Sequence, residues 1–173
     1  MSRKKYIDKL VSIKYTDRPT PIYGFVIDYN SDWTLLKYNP TDYIIDGYII
    51  LRHKNIEGFR RSATERFKEK VIMLKKQHLA DFSNFPLDSL ESILTTLTKK
   101  YGVFQFDLKT ETACYLGKVK SLSQGKLTID YLNPKGVWTK QMHFRPGDIR
   151  TIEFDTDYIK SLKMISEARK PKK

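Results

Sequence analysis

Apolar and polar residues alternate along much of the chain, which is the pattern of β-strands with one face in a core. Residues 126–131 alternate strictly, whereas residues 23–29 and 43–51 are apolar on both faces, as in strands that are covered on both sides. The pattern predicts five strands in each half of the chain: 9–16, 21–30, 33–39, 42–52 and 55–60, then 103–109, 112–121, 126–132, 136–145 and 148–154.

Three segments have the residue spacing of helices. Ser62 and Glu65 form a capping-box pattern, which predicts a helix over residues 63–78. Leucines at helical spacing predict a second helix over residues 87–100, ending before Gly102. Each set of strands is also followed by apolar residues at positions i, i+4 and i+7, namely Phe67, Val71 and Leu74, then Tyr158, Leu162 and Ile165.

The two halves repeat one another. Gly24 lies in "YGFVIDYNSDWTLLKYNP" and Gly117 in "YLGKVKSLSQGKLTIDYLNP", and both segments read as a strand with a glycine, a polar turn, a second strand and an Asn-Pro stop. A repeat of this length indicates a duplicated domain rather than a solenoid. The predicted fold class is α+β, mostly β with helices, in two domains, 1–80 and 81–173, with the boundary in "HLADFSNFP".

A corner motif of the form Arg-x-x-[Asn/Asp]-Ile ends the fourth predicted strand of each half. It reads "LRHKNI" at residues 51–56 and "FRPGDI" at residues 144–149. A helix that leads into five bent strands, with this corner before the last strand, resembles the Sm-like (Lsm) family. The SH3-like barrels are an alternative of similar architecture. The resemblance implies two tandem five-stranded barrels related by internal duplication, of the kind found in bacterial proteins.

The resemblance to the Sm-like family also implies RNA binding at the loops, with the arginine of the corner motif holding a base. Arg52 and Arg145 match that position, and His53 and Lys54 follow Arg52 in a basic loop. A guanidinium both stacks on a base and donates hydrogen bonds to it. The alternative is that each arginine braces its strand corner. We expect Arg145, beside the Pro146-Gly147 turn, to be structural and Arg52 to be the ligand residue.

The charge of the chain favours a polyanionic partner. There are 32 lysines and arginines against 20 acidic residues, a net charge of +12, although seven of the basic residues lie in the two terminal segments. Lys118, Lys120, Lys126 and Lys140 lie on predicted strands of the second half. They are candidates for a phosphate track, and the alternative is that they are ordinary solvated lysines.

Catalysis has little support in the sequence. Cys114 is predicted to be a small buried residue, the three histidines are scattered, and the paired aspartates lie at turns, so no cofactor or metal is predicted. The chain has no apolar run long enough to span a membrane, and a cytoplasmic location is expected. The predicted function is non-enzymatic, low-specificity RNA binding. The alternative is a protein–protein interaction or structural module, and a metal-assisted hydrolase is a third hypothesis.

Overall fold

The computed structural model describes residues 3–76, 82, 84–109, 113–123 and 125–169. Backbone contacts divide the chain into two compact units, unit 1 (Met1–Phe85) and unit 2 (Pro86–Lys173). The division lies within "HLADFSNFP", after residue 85 rather than after residue 80. Antiparallel strands and three helices make up the described residues, which confirms the predicted α+β class, mostly β with helices.

Unit 1 is a five-stranded antiparallel sheet followed by a helix. Its elements are β1 (Leu10–Tyr15), β2 (Ile22–Tyr29), β3 (Trp33–Tyr38), β4 (Tyr48–Arg52), β5 (Ile56–Arg60) and α1 (Ala63–Leu74), after a short 3₁₀ helix (Arg3–Tyr6). The strand order is β5-β1-β2-β3-β4. The alternating strand positions place Val11, Val26, Leu36, Ile49 and Leu51 in one core, each at most 1% exposed.

Helix α1 is held against β1 by two carboxylates, of which that of Glu65 is buried and that of Glu69 is half-buried. Ser62 begins the helix with the predicted capping box, and the carboxylate of Glu65 also accepts a hydrogen bond from Ser12 Oγ at 2.8 Å. Glu69 accepts from the Leu10 amide at 2.8 Å and pairs with Arg61 at 2.6 Å. Both acidic residues of the helix are therefore turned toward the sheet.

In unit 2, one helix precedes the five strands along the chain and another follows them. Its elements are α2 (Leu90–Lys100), β6 (Phe104–Asp107), β7 (Cys114–Ser123), β8 (Lys126–Leu132), β9 (Trp138–Phe144), β10 (Thr151–Phe154) and α3 (Asp157–Ala168), with a 3₁₀ turn (Pro146–Asp148) before β10. The strand order is β10-β6-β7-β8-β9, which is the order of unit 1. Phe106, Tyr115 and Phe144 pack ring against ring within the sheet.

The strand registers of the two units coincide when 93 is added to the residue numbers of unit 1. The pairs Val11–Gly24, Gly24–Tyr38, Thr34–Leu51 and Ile13–Phe59 correspond to Phe104–Gly117, Gly117–Tyr131, Leu127–Phe144 and Phe106–Ile152. The irregularity between Val26 and Asp28 recurs between Val119 and Ser121. Equal register at every compared pair places Arg52 and Arg145 at equivalent positions.

Two glycines allow neighbouring strands to approach closely at equivalent points. A Cβ atom on Gly24 would lie 2.5 Å from the Lys37 carbonyl oxygen, and one on Gly117 would lie 2.2 Å from the Asp130 carbonyl oxygen. Neither distance is possible without movement of the backbone, so the close approach of the strands requires glycine at both positions.

Several predicted boundaries differ from the structure. Strand β4 begins at Tyr48 rather than residue 42 because the Asn39 amide donates to the carbonyls of Thr41, Asp42 and Ile44, which holds that segment as a loop. Helix α2 begins at Leu90 rather than residue 87 because Ser89 caps it. The predicted residues 77 and 78 of the first helix lie outside the described residues.

The apolar row at positions i, i+4 and i+7 does not form the buried face of either trailing helix. Phe67 is 59% exposed and Leu74 is 72% exposed, whereas Ile72 is buried. In α3, Ile165 is 45% exposed and Ile159 is buried. Because Glu65 and Glu69 are held by hydrogen bonds at β1, they rotate the apolar row of α1 outward.

Candidate nucleic-acid interface

The corner after β4 in unit 1 is held against the turn between β2 and β3 by His53. Its backbone amide donates to the Asp32 carbonyl at 2.8 Å. Ring atom Nδ1 lies 2.7 Å from the Ser31 carbonyl, and Nε2 lies 2.7 Å from Thr34 Oγ1. A carbonyl only accepts, so Nδ1 carries the proton and donates to it. Both ring nitrogens are thus used inside the protein, and His53 positions the two loops.

Arg52 and Lys54 flank this histidine. The Arg52 guanidinium lies 5.3 Å from the centre of the Trp33 ring, and the Arg52 carbonyl accepts a hydrogen bond from Tyr15 Oη at 2.7 Å. Arg52 is half-buried, whereas Lys54 is exposed on the turn. The structure therefore brings Arg52, His53 and Lys54 together at one corner, with only Lys54 fully at the surface.

The equivalent corner of unit 2 has a different construction. Arg145 is exposed and precedes the 3₁₀ turn, in which its carbonyl accepts from the Asp148 amide at 3.0 Å. Asp148 pairs with Lys109 at 2.9 Å. The sequence led us to expect that Arg52 binds the ligand and that Arg145 is structural. The exposure of the two side chains favours the opposite assignment, because Arg145 is exposed and Arg52 packs on an aromatic ring.

Strands β7, β8 and β9 are rich in lysine, and we call this segment the β7–β9 meander (residues 114–144). This segment contains five lysines and one aspartate, whereas the equivalent β2–β4 segment of unit 1 (residues 21–51) contains one basic and four acidic residues. Lys118, Lys120 and Lys140 are exposed on it. The ion pairs found among the described residues do not include these three lysines or Arg145.

Trp138 is the first residue of β9 in the β7–β9 meander, and its role was not predicted from the sequence. The sequence pattern placed Trp138 on the same strand face as Met142 and Phe144. In the structure, the register shifts between Asp130 and Leu132, so β9 has one extra residue there. A shift of one residue turns side chains to the other face, and Trp138 packs with Val103, Leu116, Leu132, Ile159 and Leu162.

A cleft of about 280 Å³ opens next to Trp138. We call it the Trp138 cleft, and its lining includes Thr98, Val103, Lys118, Trp138, Lys163 and Glu167. The Lys118 ammonium lies 5.0 Å from the centre of the Trp138 ring. Lys163 Nζ donates to the Tyr101 carbonyl at 2.8 Å, which fixes this lysine across the cleft wall. The cleft combines an aromatic ring with two cationic groups and one carboxylate.

Other chemistry-bearing residues form no comparable site. Within the described ranges, no group of three or more histidine, cysteine or acidic residues is placed to hold a metal ion. Cys114 is exposed rather than buried as predicted, because it opens β7. Although the residue is exposed, partial desolvation of its thiol group and the nearby Asp107 and Glu153 carboxylates raise the pKa of Cys114, which disfavours the reactive thiolate. Among the described helices, none is long and apolar enough to cross a membrane.

Comparisons of the chain with protein-family models, with curated proteins and with solved structures found no match.

Proposed function

We propose that each unit is a small five-stranded barrel of the Sm-like or SH3-like type and that the two arose by internal duplication. The common strand order, the constant offset of 93 residues in register, and the glycines at equivalent close approaches support this relationship. The 3₁₀ turn between β9 and β10 forms a sharp corner of the kind that a small barrel needs.

The proposed function is low-specificity RNA binding by a non-enzymatic, cytoplasmic protein. The observation that supports it most is the contrast between two equivalent strand segments. The β7–β9 meander carries a net charge of +4, and the equivalent residues 21–51 of unit 1 carry −3. Two segments with the same register differ in charge by seven, so strand formation does not require the lysines of unit 2. A concentrated basic surface attracts the phosphates of a nucleic acid.

The site residues have separate roles in this proposal. Lys118, Lys120, Lys140 and Arg145 contact phosphates, and as flexible or exposed cations they provide little sequence discrimination. Arg52 and Lys54 of unit 1 form a second, smaller contact, which His53 holds in place. Single-stranded RNA is the favoured form because an aromatic ring beside basic strands binds unpaired bases by stacking.

Fluorescence anisotropy with a labelled single-stranded RNA tests the function. A variant with Lys118→Gln, Lys120→Gln and Lys140→Gln should bind at least about tenfold more weakly than the native protein at low salt. A matched control with Lys4→Gln, Lys5→Gln and Lys9→Gln removes the same charge from exposed positions of unit 1. Equal losses in the two variants, or no binding by the native protein at low salt, would contradict the proposal.

The outward face of α1 supports protein binding as a second candidate function. Phe67, Met73 and Leu74 are 56–72% exposed there, and Ile44 is 48% exposed on a loop beside the helix. Lys75 of this helix donates to the Tyr43 carbonyl at 3.1 Å and holds that loop against it. Because Glu65 and Glu69 point inward, the charges on the outward face are basic, and an acidic protein surface is the fitting partner. Absence of RNA binding at low salt would favour this function.

A further inference from the structure

The Trp138 cleft has features that a phosphate track does not need. It is a concave site in unit 2 with a tryptophan wall, and two of its charged groups, Lys163 and Glu167, have opposite signs and lie on α3. The ion pairs among the described residues include neither of them. Opposite charges that line one cleft without pairing provide separate donor and acceptor groups for a ligand.

We propose that the Trp138 cleft binds one unstacked guanine base of the RNA, an inference that rests on the proposed function. The volume of about 280 Å³ is sufficient for a single base. The indole ring provides the flat surface on which single-stranded nucleic acids place a base. Behind the ring, the cluster of Val103, Leu116, Leu132, Ile159 and Leu162 holds Trp138 in a fixed orientation.

Lys118 connects the cleft to the phosphate track. In the free protein its ammonium occupies the space over the Trp138 ring, at 5.0 Å from the ring centre. An ammonium on a flexible stem exchanges this contact for a phosphate oxygen, because the charge-assisted bond to phosphate is stronger than an exposed cation–π contact. The base then occupies the position of the ammonium over the ring, and Lys118 binds the phosphate of the same nucleotide.

The two charged groups of α3 select the base. Guanine presents a carbonyl oxygen next to an imino and an amino group along its pairing edge, so a cation and a carboxylate satisfy the three groups together. Lys163 Nζ donates one hydrogen bond to the Tyr101 carbonyl, and its two other N–H groups are available to donate to the guanine oxygen. The Glu167 carboxylate accepts from the imino and amino groups in a bidentate contact. Adenine and cytosine offer the carboxylate only an amino group, and uracil only an imino group.

The experiment uses the ¹⁵N-labelled full chain and follows the indole N–H signals of its two tryptophans, Trp33 and Trp138. Trp138→Phe assigns the signals, and the probes are the four ribonucleoside monophosphates at constant ionic strength. The Trp138 signal should shift with guanosine monophosphate at a concentration about tenfold lower than with the other three. Trp33 is 3% exposed in unit 1, and its signal should show no preference among the four nucleotides.

Glu167→Gln should remove the preference for guanosine monophosphate, and Glu91→Gln, which changes the same charge on α2 outside the cleft, should preserve it. Binding of a uridine homopolymer, measured by anisotropy, should be unchanged in both variants. If the Trp138 signal does not shift with any of the four nucleotides, or shifts equally with all four, the proposal of a guanine site is wrong. If the homopolymer still binds in that case, only the cleft proposal fails, whereas loss of all RNA binding would refute the proposed function itself.

Discussion

At the scale of single residues, buried polar groups determine how α1 packs. Burial alone would raise the pKa of Glu65, but hydrogen bonds from Ser62 and Ser12 outweigh it and lower the pKa to about 2. Glu65 is 2% exposed, so an unsatisfied carboxylate there would be costly. The capping box was predictable because Ser62 and Glu65 are three residues apart. The contact with Ser12 was not, because it spans 53 residues of sequence.

Glu65 makes the stability of the protein sensitive to acid. Its pKa is lower in the folded state than the ordinary value of 4.5, so the ionised carboxylate stabilises the fold above pH 4.5 and this contribution is lost as the pH falls toward 2. We expect Glu65 to account for a loss of about 2 kcal/mol in the free energy of unfolding between pH 7 and pH 3. Urea unfolding of the native chain and of Glu65→Gln at both pH values measures it. An equal pH dependence in the two proteins would contradict the assignment.

The two corner arginines should respond differently to removal of the guanidinium. Arg52→Ala loses the contact with the Trp33 ring and should lower the free energy of unfolding by about 1 kcal/mol or more. Arg145→Ala removes an exposed side chain and should change it by less than about 0.5 kcal/mol while weakening RNA binding. Thermal melts and RNA titrations of both variants measure these effects. A destabilised Arg145→Ala variant with unchanged RNA affinity would show that Arg145 is a brace.

At the scale of elements, the pattern of apolar and polar residues predicted the positions of most strands, but it did not predict which face of each helix packs inward. All ten strands of the described residues overlap ranges that were predicted to be strands, and β4 and β10 start later than expected. The apolar rows on α1 and α3 did not predict the buried faces of these helices, because the packing of a helix depends on its partner surface. At α1 that surface is β1, whose Leu10 amide and Ser12 hydroxyl bind carboxylates. The predicted strand face of Trp138 was wrong because a one-residue irregularity in strand register cannot be recognised in the pattern of apolar and polar residues.

The equivalent glycines provide a test of the sheet geometry. Gly24→Ala and Gly117→Ala place a Cβ atom within 2.5 Å of a backbone oxygen of the next strand, and each should lower the free energy of unfolding by about 2 kcal/mol or more. Gly58→Ala in β5 is the matched control, since no atom lies within 4 Å of its added Cβ. Chemical unfolding of the three variants compares them. A Gly24→Ala or Gly117→Ala variant as stable as the control would refute the close approach.

At the scale of the whole molecule, net charge alone does not locate the candidate site. Units 1 and 2 each contain 16 basic and 10 acidic residues, a net charge of +6 for each. They differ in where the charges lie, because the β2–β4 segment (residues 21–51), with its turns, is acidic on balance and the β7–β9 meander is basic. Lys118, Lys120 and Lys140 were identifiable from their strand positions. Trp138 and the cleft were not, because the cleft is assembled from α2, β7, β9 and α3.

The salt dependence of RNA binding tests the central claim most directly. Each phosphate contact to single-stranded RNA contributes a slope of about −0.7 to a plot of log affinity against log salt concentration. A variant with Lys118, Lys120, Lys140 and Arg145 all changed to Gln should therefore have a slope less steep by about 3 than the native protein. A control with Lys4, Lys5, Lys9 and Lys70 changed to Gln should keep the native slope. If the control loses as much slope as the site variant, or if neither changes, the β7–β9 meander is not the RNA-binding surface.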